Sequence, residues 1–342
     1  MVKRIIDTIF LVITWVAIIG LVGSYTAPYV DPNVFYFSSL LGLAYHYLLI
    51  ANLLLFFYWL VRWKRMAIIS FLVILAGYPF LRGYYGFNSR SLPETSCDIE
   101  VMSYNIRQLN LYGNKSLKGI TDYIETFKGD FVCLQEFPRK GVGLQHFPSY
   151  VDYHSKGDVA ILSRRPILHR GNITFPKGCS AACVYGDIVL EWDTVRVYCV
   201  HLESYRLGKK EQQIYQELRD GNSEDIQQGV RTLLQRLVLA NKNRAKEATT
   251  IKNHMRKSPY PIILCGDFND TPLSYPYHVL HEDMLDSFIE KGHGLGNTYI
   301  GEFPSFRIDH ILHTPSLQTV AYTRDTIRCS DHYAIRAKIL LK

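Results

Sequence analysis

The first 81 residues are dominated by long apolar runs that only short polar stretches interrupt. Three runs, at residues 5–25, 35–61 and 66–81, approach or exceed the ~17 to 25 residues that a helix needs to cross the hydrocarbon of a bilayer. The third run is the shortest of the three. The pattern predicts that residues 1–82 form a helical membrane region of about three spans.

The basic residues of this region indicate its orientation. They lie before the first run and between the second and third, at Lys3, Arg4, Arg62, Lys64 and Arg65. By the positive-inside rule the N-terminus is cytoplasmic, and three crossings leave the rest of the chain in the periplasm or outside the cell. The alternative is a cleaved signal peptide over residues 1–27, because small residues follow the first run. The two remaining spans would then start outside the cytoplasm and would also leave residues 97–342 there.

The long apolar runs end near residue 82. Gly, Asn, Ser and Pro in residues 83–96 predict a linker. Residues 97–342 then contain short runs rich in β-branched and aromatic residues, which are typical of strands. The predicted strands are Ile99–Ile106, Phe131–Gln135, Val159–Leu162, Asp187–Leu190, Val195–His201, Pro261–Cys265, Ile308–Leu312 and Tyr333–Leu340.

Two segments show helical periodicity instead. In Leu117–Phe127 and Ile226–Met255, apolar residues recur at steps of three to four, which places them on one face of a helix. Strands and helices that are mixed in this way over residues 97–342 favour a single α/β domain, a sandwich with sheets at the centre and helices outside.

Six of the strand-like segments end in residues that bind metals or move protons. They are Ser103-Tyr104-Asn105, Leu134-Gln135-Glu136, Val200-His201-Leu202, Gly266-Asp267-Phe268-Asn269, Arg307-Ile308-Asp309 and Ser330-Asp331-His332. A single carboxylate or amide after a strand is most often a turn or cap residue, so each segment alone says little. The ordered set indicates one reaction site.

Asn105 and Glu136 both follow apolar runs, so we expect their side chains at the same edge of a sheet. An amide oxygen and a carboxylate are hard ligands that suit Mg²⁺, which keeps several waters for a substrate phosphate to replace. Asp267 and Asn269 lie two residues apart and face the same side of a strand end. A carboxylate there can take a proton from water while the amide holds that water or the phosphate in line.

Two of the segments add an imidazole to these carboxylates. Asp309 lies on a strand near the segment that carries Asp331 and His332, and a buried Asp that pairs with a His sets its tautomer and raises its basicity. His332 could then act as acid or base, or stabilise charge that builds on a phosphate. His201 supplies a second imidazole, although a lone His after a strand is more often structural.

Composition excludes several other classes of protein. Residues 97–342 hold 31 Lys or Arg against 28 Asp or Glu, which is too nearly neutral for tight, extended binding of nucleic acid. The chain has no nucleophile elbow, phosphate-binding loop, dinucleotide fingerprint or zincin motif. Its seven cysteines show no zinc spacing, and only Cys179 and Cys183 are close enough in sequence to suggest a disulfide.

Seven segments between Ile99 and Leu341 resemble, in order, the motifs of the endonuclease/exonuclease/phosphatase superfamily, which includes deoxyribonuclease I, abasic-site endonucleases, inositol polyphosphate 5-phosphatases and bacterial sphingomyelinases. They are SYNIR, LQE, GDVAILSRRP, VHLES, CGDFND, RIDHIL and SDHYAI. The resemblance implies a four-layered α/β sandwich, in which helices flank two central mixed β-sheets. It also implies phosphoester cleavage that depends on Mg²⁺ or Mn²⁺.

The resemblance further implies a role for each matching residue. Asn105 and Glu136 are similar to the metal site of the family, with Asp331 close by.

The resemblance implies that the other matching residues take part in the reaction itself. Asp267 resembles the residue that activates the attacking water, and Asn269 the one that positions it. Asp309 and His332 are similar to the family's Asp-His pair, and His201 to its phosphate-contacting histidine.

These observations lead to the hypothesis of a membrane-anchored, metal-dependent phosphoester hydrolase of the nuclease, phosphodiesterase or phosphatase type. Its substrate stays open among nucleic acid, phospholipid headgroup and inositol phosphate, and no protein partner can be inferred. The alternative is a binding module that has kept the fold and lost the chemistry, although the matched side chains are all present. Residues 203–228 fit either a lid over the site or a surface helix pair.

Overall fold

A computed structural model of the chain describes residues 2–89, 97–109, 114–138, 140–191, 193–205, 226–301 and 306–342. Most of the segment 203–228 and half of the predicted linker therefore lie outside the described residues. The α-helices are α1 (Val2–Ser24), α2 (Phe37–Leu43), α3 (Tyr45–Val61), α4 (Met66–Ala76), α5 (Tyr78–Leu81), α6 (Asn114–Phe127), α7 (Ile226–Met255), α8 (Tyr275–His281) and α9 (Ser287–Lys291).

Most of the strands belong to the C-terminal part of the chain. They are β1 (Tyr85–Phe87), β2 (Ile99–Asn105), β3 (Phe131–Gln135), β4 (Asp152–Lys156), β5 (Val159–Ser163), β6 (Ile167–Asn172), β7 (Ala182–Val189), β8 (Thr194–His201), β9 (Ile262–Asp267), β10 (Leu285–Asp286), β11 (His293–Leu295), β12 (Asp309–His313), β13 (Leu317–Arg324) and β14 (Ile335–Leu341).

The chain divides into two compact units. The helical unit comprises Met1–Pro79, Glu203–Lys246 and Leu273–Tyr275. The sheet unit comprises Phe80–Leu202, Glu247–Pro272 and Pro276–Lys342. The long helix α7 contributes its first part to the helical unit and its last part to the sheet unit.

The helical unit contains one helix, among the described residues, that is long and apolar enough to cross a membrane by itself. This helix is α1, and α2 with α3 passes the same test only as a pair that bends by 66°. The 11 residues of α4 would rise about 16 Å, which is roughly half the thickness of bilayer hydrocarbon. The prediction of about three spans is therefore not confirmed, because the second apolar run bends and the third forms a short helix.

The sheet unit is built on two six-stranded mixed sheets. Sheet I has the order β10-β12-β9-β8-β7-β6, and sheet II has the order β13-β14-β2-β3-β5-β4. Strands β8 and β9 run parallel in sheet I, β2 and β3 run parallel in sheet II, and the other neighbours are antiparallel. A two-stranded sheet of β1 and β11 completes the described strands.

Three hydrophobic clusters hold these layers together. The largest lies between the sheets, where Val101 and Ile161 of sheet II join Val197 and Ile263 of sheet I. A second cluster packs the end of α7 and helix α8 on the outer face of sheet I, and a third packs α6 on the outer face of sheet II. The predicted α/β fold with two mixed sheets and outer helices is confirmed.

No disulfide joins any of the seven cysteines, all of which lie in the described part of the chain. The disulfide that the spacing of Cys179 and Cys183 suggested is therefore not formed. Cys133, Cys199 and Cys265 are fully buried and belong to the cluster between the sheets, where a small apolar side chain packs well.

Candidate active site

Three of the expected residues lie side by side at one edge of sheet I, as the last residues of β8 and β9 and the first residue of β12. In the strand register His201 of β8 pairs with Asp267 of β9, and Asp267 pairs with Asp309 of β12. Each lies two residues from a side chain of the cluster between the sheets. Because side chains alternate along a strand, all three therefore point towards sheet II.

Sheet II contributes Asn105 from the end of β2. The Asn105 side chain is fully buried, and its Nδ2 donates to Asp267 Oδ2 at 2.9 Å and to Glu136 Oε1 at 3.2 Å. Its Oδ1 accepts from the backbone N–H of Arg107 at 3.0 Å. The Asn105 amide thus bridges two carboxylates, one from each sheet.

His332 lies just before β14 and forms a buried pair with Asp309. Its Nδ1 donates to Asp309 Oδ2 at 2.8 Å, and its Nε2 lies 3.8 Å from Asp267 Oδ2. The ring of Tyr299 packs edge-on against the imidazole, with 5.2 Å between ring centroids. These contacts fix the orientation of the ring, so that Nε2 faces Asp267.

A second pair, which the sequence motifs did not reveal, joins His201 to Asp158. His201 Nδ1 donates to Asp158 Oδ2 at 2.9 Å, and His201 Nε2 lies 4.0 Å from Asp267 Oδ2. Nε2 is buried and has no hydrogen-bond partner among the described residues. The signal for Asp158 was its place in the segment GDVAILSRRP, directly before the predicted strand that begins at Val159.

Both imidazoles are surrounded by carboxylates that favour their charged form. Burial lowers the pKa of His201, but the Asp158 hydrogen bond and the charge of Asp267 outweigh burial and raise this pKa to about 9. Burial likewise opposes charge on His332, yet the charges of Asp309 and Asp267 raise its pKa to about 10. Two imidazolium groups therefore face Asp267 at neutral pH.

The carboxylates at the centre of the site are more basic than usual. The pKa of Asp267 is raised, first by burial and then by the charge of Asp309, while His332, His201 and Asn105 oppose the shift. Burial also raises the pKa of Glu136, and His201 counteracts it. A carboxylate with a raised pKa is a better proton acceptor, which suits a group that activates water.

Two residues of the site hold strained backbone conformations. Glu136 and Asn269 have φ angles of 50° and 51°, in the left-handed region that residues other than glycine rarely adopt. The Asn269 N–H donates to Asp267 Oδ1 at 2.7 Å, and Asn269 Nδ2 donates to Leu202 O at 2.9 Å. Such strain costs about 1 to 3 kcal/mol per residue and is concentrated at functional sites.

Asp331 takes part in an ion pair at the edge of the site. Its Oδ2 accepts from Arg107 at 2.7 Å, and its Oδ1 accepts from the Ser330 hydroxyl at 3.2 Å. The Arg107 side chain is 44% exposed, whereas that of Asp331 is 14% exposed. Arg107 therefore contacts two of the three expected metal residues, Asp331 through its guanidinium and Asn105 through its backbone.

Arg307, which precedes Asp309 in its motif, is not brought into this cluster. It is buried and pairs with Asp286, to which its guanidinium donates at 2.6 Å, and it also donates to Gly83 O at 2.8 Å. Its side chain has a structural role in the sheet unit.

The residues present fit a divalent metal ion. Glu136 is a partly buried carboxylate next to the Asn105 amide, and such hard oxygen donors suit Mg²⁺ or Mn²⁺. Asn105 would need to turn its amide to offer Oδ1, and Asp331 would need to leave Arg107.

Asp267, Asp309 and His332 also lie close enough to share an ion, with ligand atoms within 4.8 Å of one another. The hydrogen bond between His332 Nδ1 and Asp309 Oδ2 already pairs two of these ligand atoms.

Comparison with solved structures shows the same fold. Similar structures include an endonuclease/exonuclease/phosphatase family protein from Bacteroides thetaiotaomicron, with 20% identity, a TM-score of 0.53 and coverage of 71% of this chain and 98% of that one. A mannosyl-6-phosphatase from the same organism has 19% identity, a TM-score of 0.50 and coverage of 71% and 100%. TDP2 from D. rerio, complexed with a single-stranded DNA product, has 17% identity, a TM-score of 0.50 and coverage of 70% and 98%.

Comparison with protein families divides the sequence in two. Residues 7–84 match a domain of unknown function, DUF8431. No curated protein matches the chain by sequence. Residues 102–332, about two thirds of the chain, match the endonuclease/exonuclease/phosphatase family. The chain therefore belongs to the endonuclease/exonuclease/phosphatase family.

Proposed function

We propose that the chain is a metal-dependent phosphoester hydrolase in which Asp267 activates a water for in-line attack on a phosphate. One observation carries this proposal: two Asp–His pairs converge on the single buried carboxylate of Asp267, with imidazole nitrogens at 3.8 and 4.0 Å. A binding module would have no need for this arrangement, because it buries several charges at a cost in stability. We therefore favour an enzyme over a binding module.

Different residues of the chain would accept the proton, position the water and stabilise the phosphate charge. Asp267 accepts the proton of the attacking water, since burial raises its pKa. Asn269, held by Leu202 O, positions that water. His201 and His332 are cations that stabilise the negative charge that builds on the phosphate oxygens, and their partner carboxylates keep them charged and oriented.

Glu136 and Asn105 would hold the metal ion, with Asp331 close by once it leaves Arg107. The ion, Mg²⁺ or Mn²⁺, supplies Lewis-acid polarisation of a phosphate oxygen when it is bound. The partly buried carboxylate of Glu136 favours a cation beside it, because burial raises its pKa and so disfavours its bare charge.

The sensitivity of the activity to metal removal tests this proposal. We expect the full-length protein with Mg²⁺ to cleave at least one substrate among bis(4-nitrophenyl) phosphate, 4-nitrophenyl phosphate, single-stranded DNA, mannose 6-phosphate, sphingomyelin and a phosphoinositide. EDTA should abolish that cleavage, excess Mg²⁺ or Mn²⁺ should restore it, and Glu136→Gln should raise the Mg²⁺ concentration for half-maximal rate by about 10- to 100-fold. Cleavage that persists in EDTA would refute the metal requirement.

The pairing of Asp158 with His201 predicts a shifted titration. In metal-free protein we expect Asp158→Asn to move the pKa of His201 from about 9 towards the ordinary value of about 6.5. The rate at pH 8 should fall about tenfold, because a neutral imidazole makes a weaker hydrogen bond to phosphate than an imidazolium does. In the unmutated protein the rate should hold from pH 7 to 8 and fall as pH rises through about 9, where His201 loses its proton.

The measurement is a pH titration of the His ring signals by NMR, with rates measured in parallel. Asp122→Asn, on the exposed side of α6, is the control and should leave the His201 titration unchanged. A His201 titration that is identical in Asp158→Asn and in the unmutated protein would show that Asp158 does not tune His201.

Attachment to a membrane is a separate part of the proposal. We propose that α1 anchors the chain in a bilayer, because it is long and apolar enough to span one. Lys3 and Arg4 precede most of α1 and favour a cytoplasmic N-terminus, so a single crossing would leave the hydrolase domain outside the cytoplasm. The hydrolase domain would then begin before residue 97, because β1 in the predicted linker 83–96 pairs with β11 within the sheet unit.

A further inference from the structure

The helical unit contains an apolar groove that no part of the proposed reaction uses. It has a volume of about 790 Å³ and lies between α2 and the first part of α7. Tyr36, Phe37 and Leu40 line one wall, and Val230, Leu234 and Val238 line the other. The three α7 residues are spaced four apart, so they form a continuous stripe along one face of that helix.

Polar contacts hold the two walls together. Asn241 Nδ2 donates to Ser39 Oγ at 2.8 Å, and Asn33 Nδ2 donates to Lys242 O at 3.3 Å. The Lys242 ammonium lies 5.7 Å from the centre of the Tyr36 ring. The groove is therefore a built feature of the helical unit, fixed at the Lys242 end by side-chain hydrogen bonds.

The charge around the groove has one sign. Residues 226–246 of α7 contain five Lys or Arg and no Asp or Glu. Arg231 and Lys242 line the groove itself, eleven positions apart on α7. A basic amphipathic helix of this kind is typical of segments that lie at the surface of an anionic bilayer.

The apolar surface beside the groove is exposed. Leu234 is 43% exposed, Leu239 58% and Phe37 51%, and the same unit exposes Val16 and Ile19 of α1 by 66% and 68%. A contiguous exposed apolar surface marks a binding site. Because the groove belongs to the same compact unit as the apolar α1, lipid is the partner whose chemistry matches both the apolar floor and the basic ends.

We propose that this groove binds an acyl chain of an anionic phospholipid, with Arg231 or Lys242 contacting the lipid phosphate. The inference rests on the proposed attachment of α1 to a bilayer, and it does not depend on the hydrolase activity. The part of α7 that belongs to the helical unit then lies at the membrane surface, where its lipid-facing stripe adds to the anchor provided by α1.

Photolabelling of the full-length protein in liposomes tests the proposal. The probe is phosphatidylglycerol with a diazirine in one acyl chain, diluted into phosphatidylcholine, and labelled peptides are identified by mass spectrometry. We expect labels in α1, in residues 36–40 and in residues 230–239. The Leu234→Glu/Val238→Glu variant should lose about tenfold of the α7 label, because a charge in the groove opposes entry of hydrocarbon. Labelling of α1 should be unchanged.

Matched variants separate the possible outcomes. Asn253→Glu places one of these two negative charges at an exposed position of α7 outside the groove, and it should label like the unmutated protein. Arg231→Gln/Lys242→Gln should remove the preference for the phosphatidylglycerol probe over a phosphatidylcholine probe. Labels in α1 without labels in α7, or equal α7 labelling in Leu234→Glu/Val238→Glu, would overturn the groove proposal alone. Absence of label from α1 as well would overturn the membrane attachment too, and equal labelling by the two lipids would overturn the headgroup contact.

Discussion

The Asp267→Asn variant is expected to lose about 10³-fold or more of the phosphoesterase rate, because it removes the proposed base that takes the proton of the attacking water. Asn has nearly the same shape as Asp and can still accept one of the two hydrogen bonds that Asp267 receives, from Asn269 N or from Asn105 Nδ2. The fold should therefore persist while the chemistry is lost. Rates are measured with saturating Mg²⁺ on the substrate that the unmutated protein cleaves best.

A matched control lies in the same motif. Asp270 is also buried, and its Oδ1 accepts from the backbone N–H of Thr271, a bond that an amide oxygen keeps. Asp270→Asn should therefore retain the rate to within about threefold, since it changes no group placed in the reaction. An Asp267→Asn variant that cleaves as fast as Asp270→Asn would contradict the role of Asp267 as base.

The Asp267→Asn variant should also change the titration of the His201 and His332 imidazoles. The charge of Asp267 helps to raise the pKa of both His201 and His332. Loss of that charge should lower both values, and NMR titration of the ring signals would detect it. A folded Asp267→Asn variant in which both pKa values are unchanged would show that the charge of Asp267 does not act on the two imidazoles.

The central strands of both sheets could be predicted from the sequence because they are apolar on both faces. Strands β3, β5 and β9 are buried along their whole length, and the predicted segments match them closely. Among the missed strands, β4, β6, β10 and β13 lie at edges of the two six-stranded sheets, and most exposed positions of β4, β6 and β13 carry polar residues. A polar edge strand resembles a loop in sequence, because it has no apolar run of its own and is held by hydrogen bonds to a strand that is distant in sequence.

The candidate site could be predicted as a list of residues more readily than as a geometry. His201, Asp267 and Asp309 were identified because reactive side chains often lie at the termini of strands. The strand register places these three residues side by side. The sequence could not predict that the Asn105 amide bridges two carboxylates, because its contact with Asp267 joins residues 162 positions apart. The pairing of Arg107 with Asp331 was missed for the same reason.

Arg307 illustrates a residue that lies in a catalytic motif and has a structural role. Its guanidinium and the Asp286 carboxylate are almost completely buried. Asp286 also accepts from the Tyr277 hydroxyl at 2.7 Å and from Phe288 N at 2.8 Å, where it caps the start of α9. Although burial disfavours the charge, Arg307 holds the pKa of Asp286 well below its usual range. Asp286 therefore stabilises the fold above its unfolded pKa of about 3.9 and loses this contribution as pH falls further.

Arg307→Met should lower the free energy of unfolding at pH 7 by about 3 to 5 kcal/mol, because it leaves the Asp286 charge buried without its ionic partner. Denaturant unfolding of the detergent-solubilised protein, followed by circular dichroism, measures the loss. The control is Arg170→Met, which breaks a two-contact Arg–Asp pair with Asp152 that is 42% and 23% exposed. Its expected loss is below about 1 kcal/mol.

A double variant separates the buried charge from the lost packing. Asp286→Asn combined with Arg307→Met removes both charges, so its loss of stability should be smaller than the sum of the two single losses. The pH dependence should change as well: Arg307→Met should lose less stability on acidification from pH 5 to pH 3 than the unmutated protein, because its Asp286 no longer has a strongly lowered pKa. Equal losses for Arg307→Met and Arg170→Met would show that the buried pair contributes no more than an exposed one, and the structural role given to Arg307 would then be wrong.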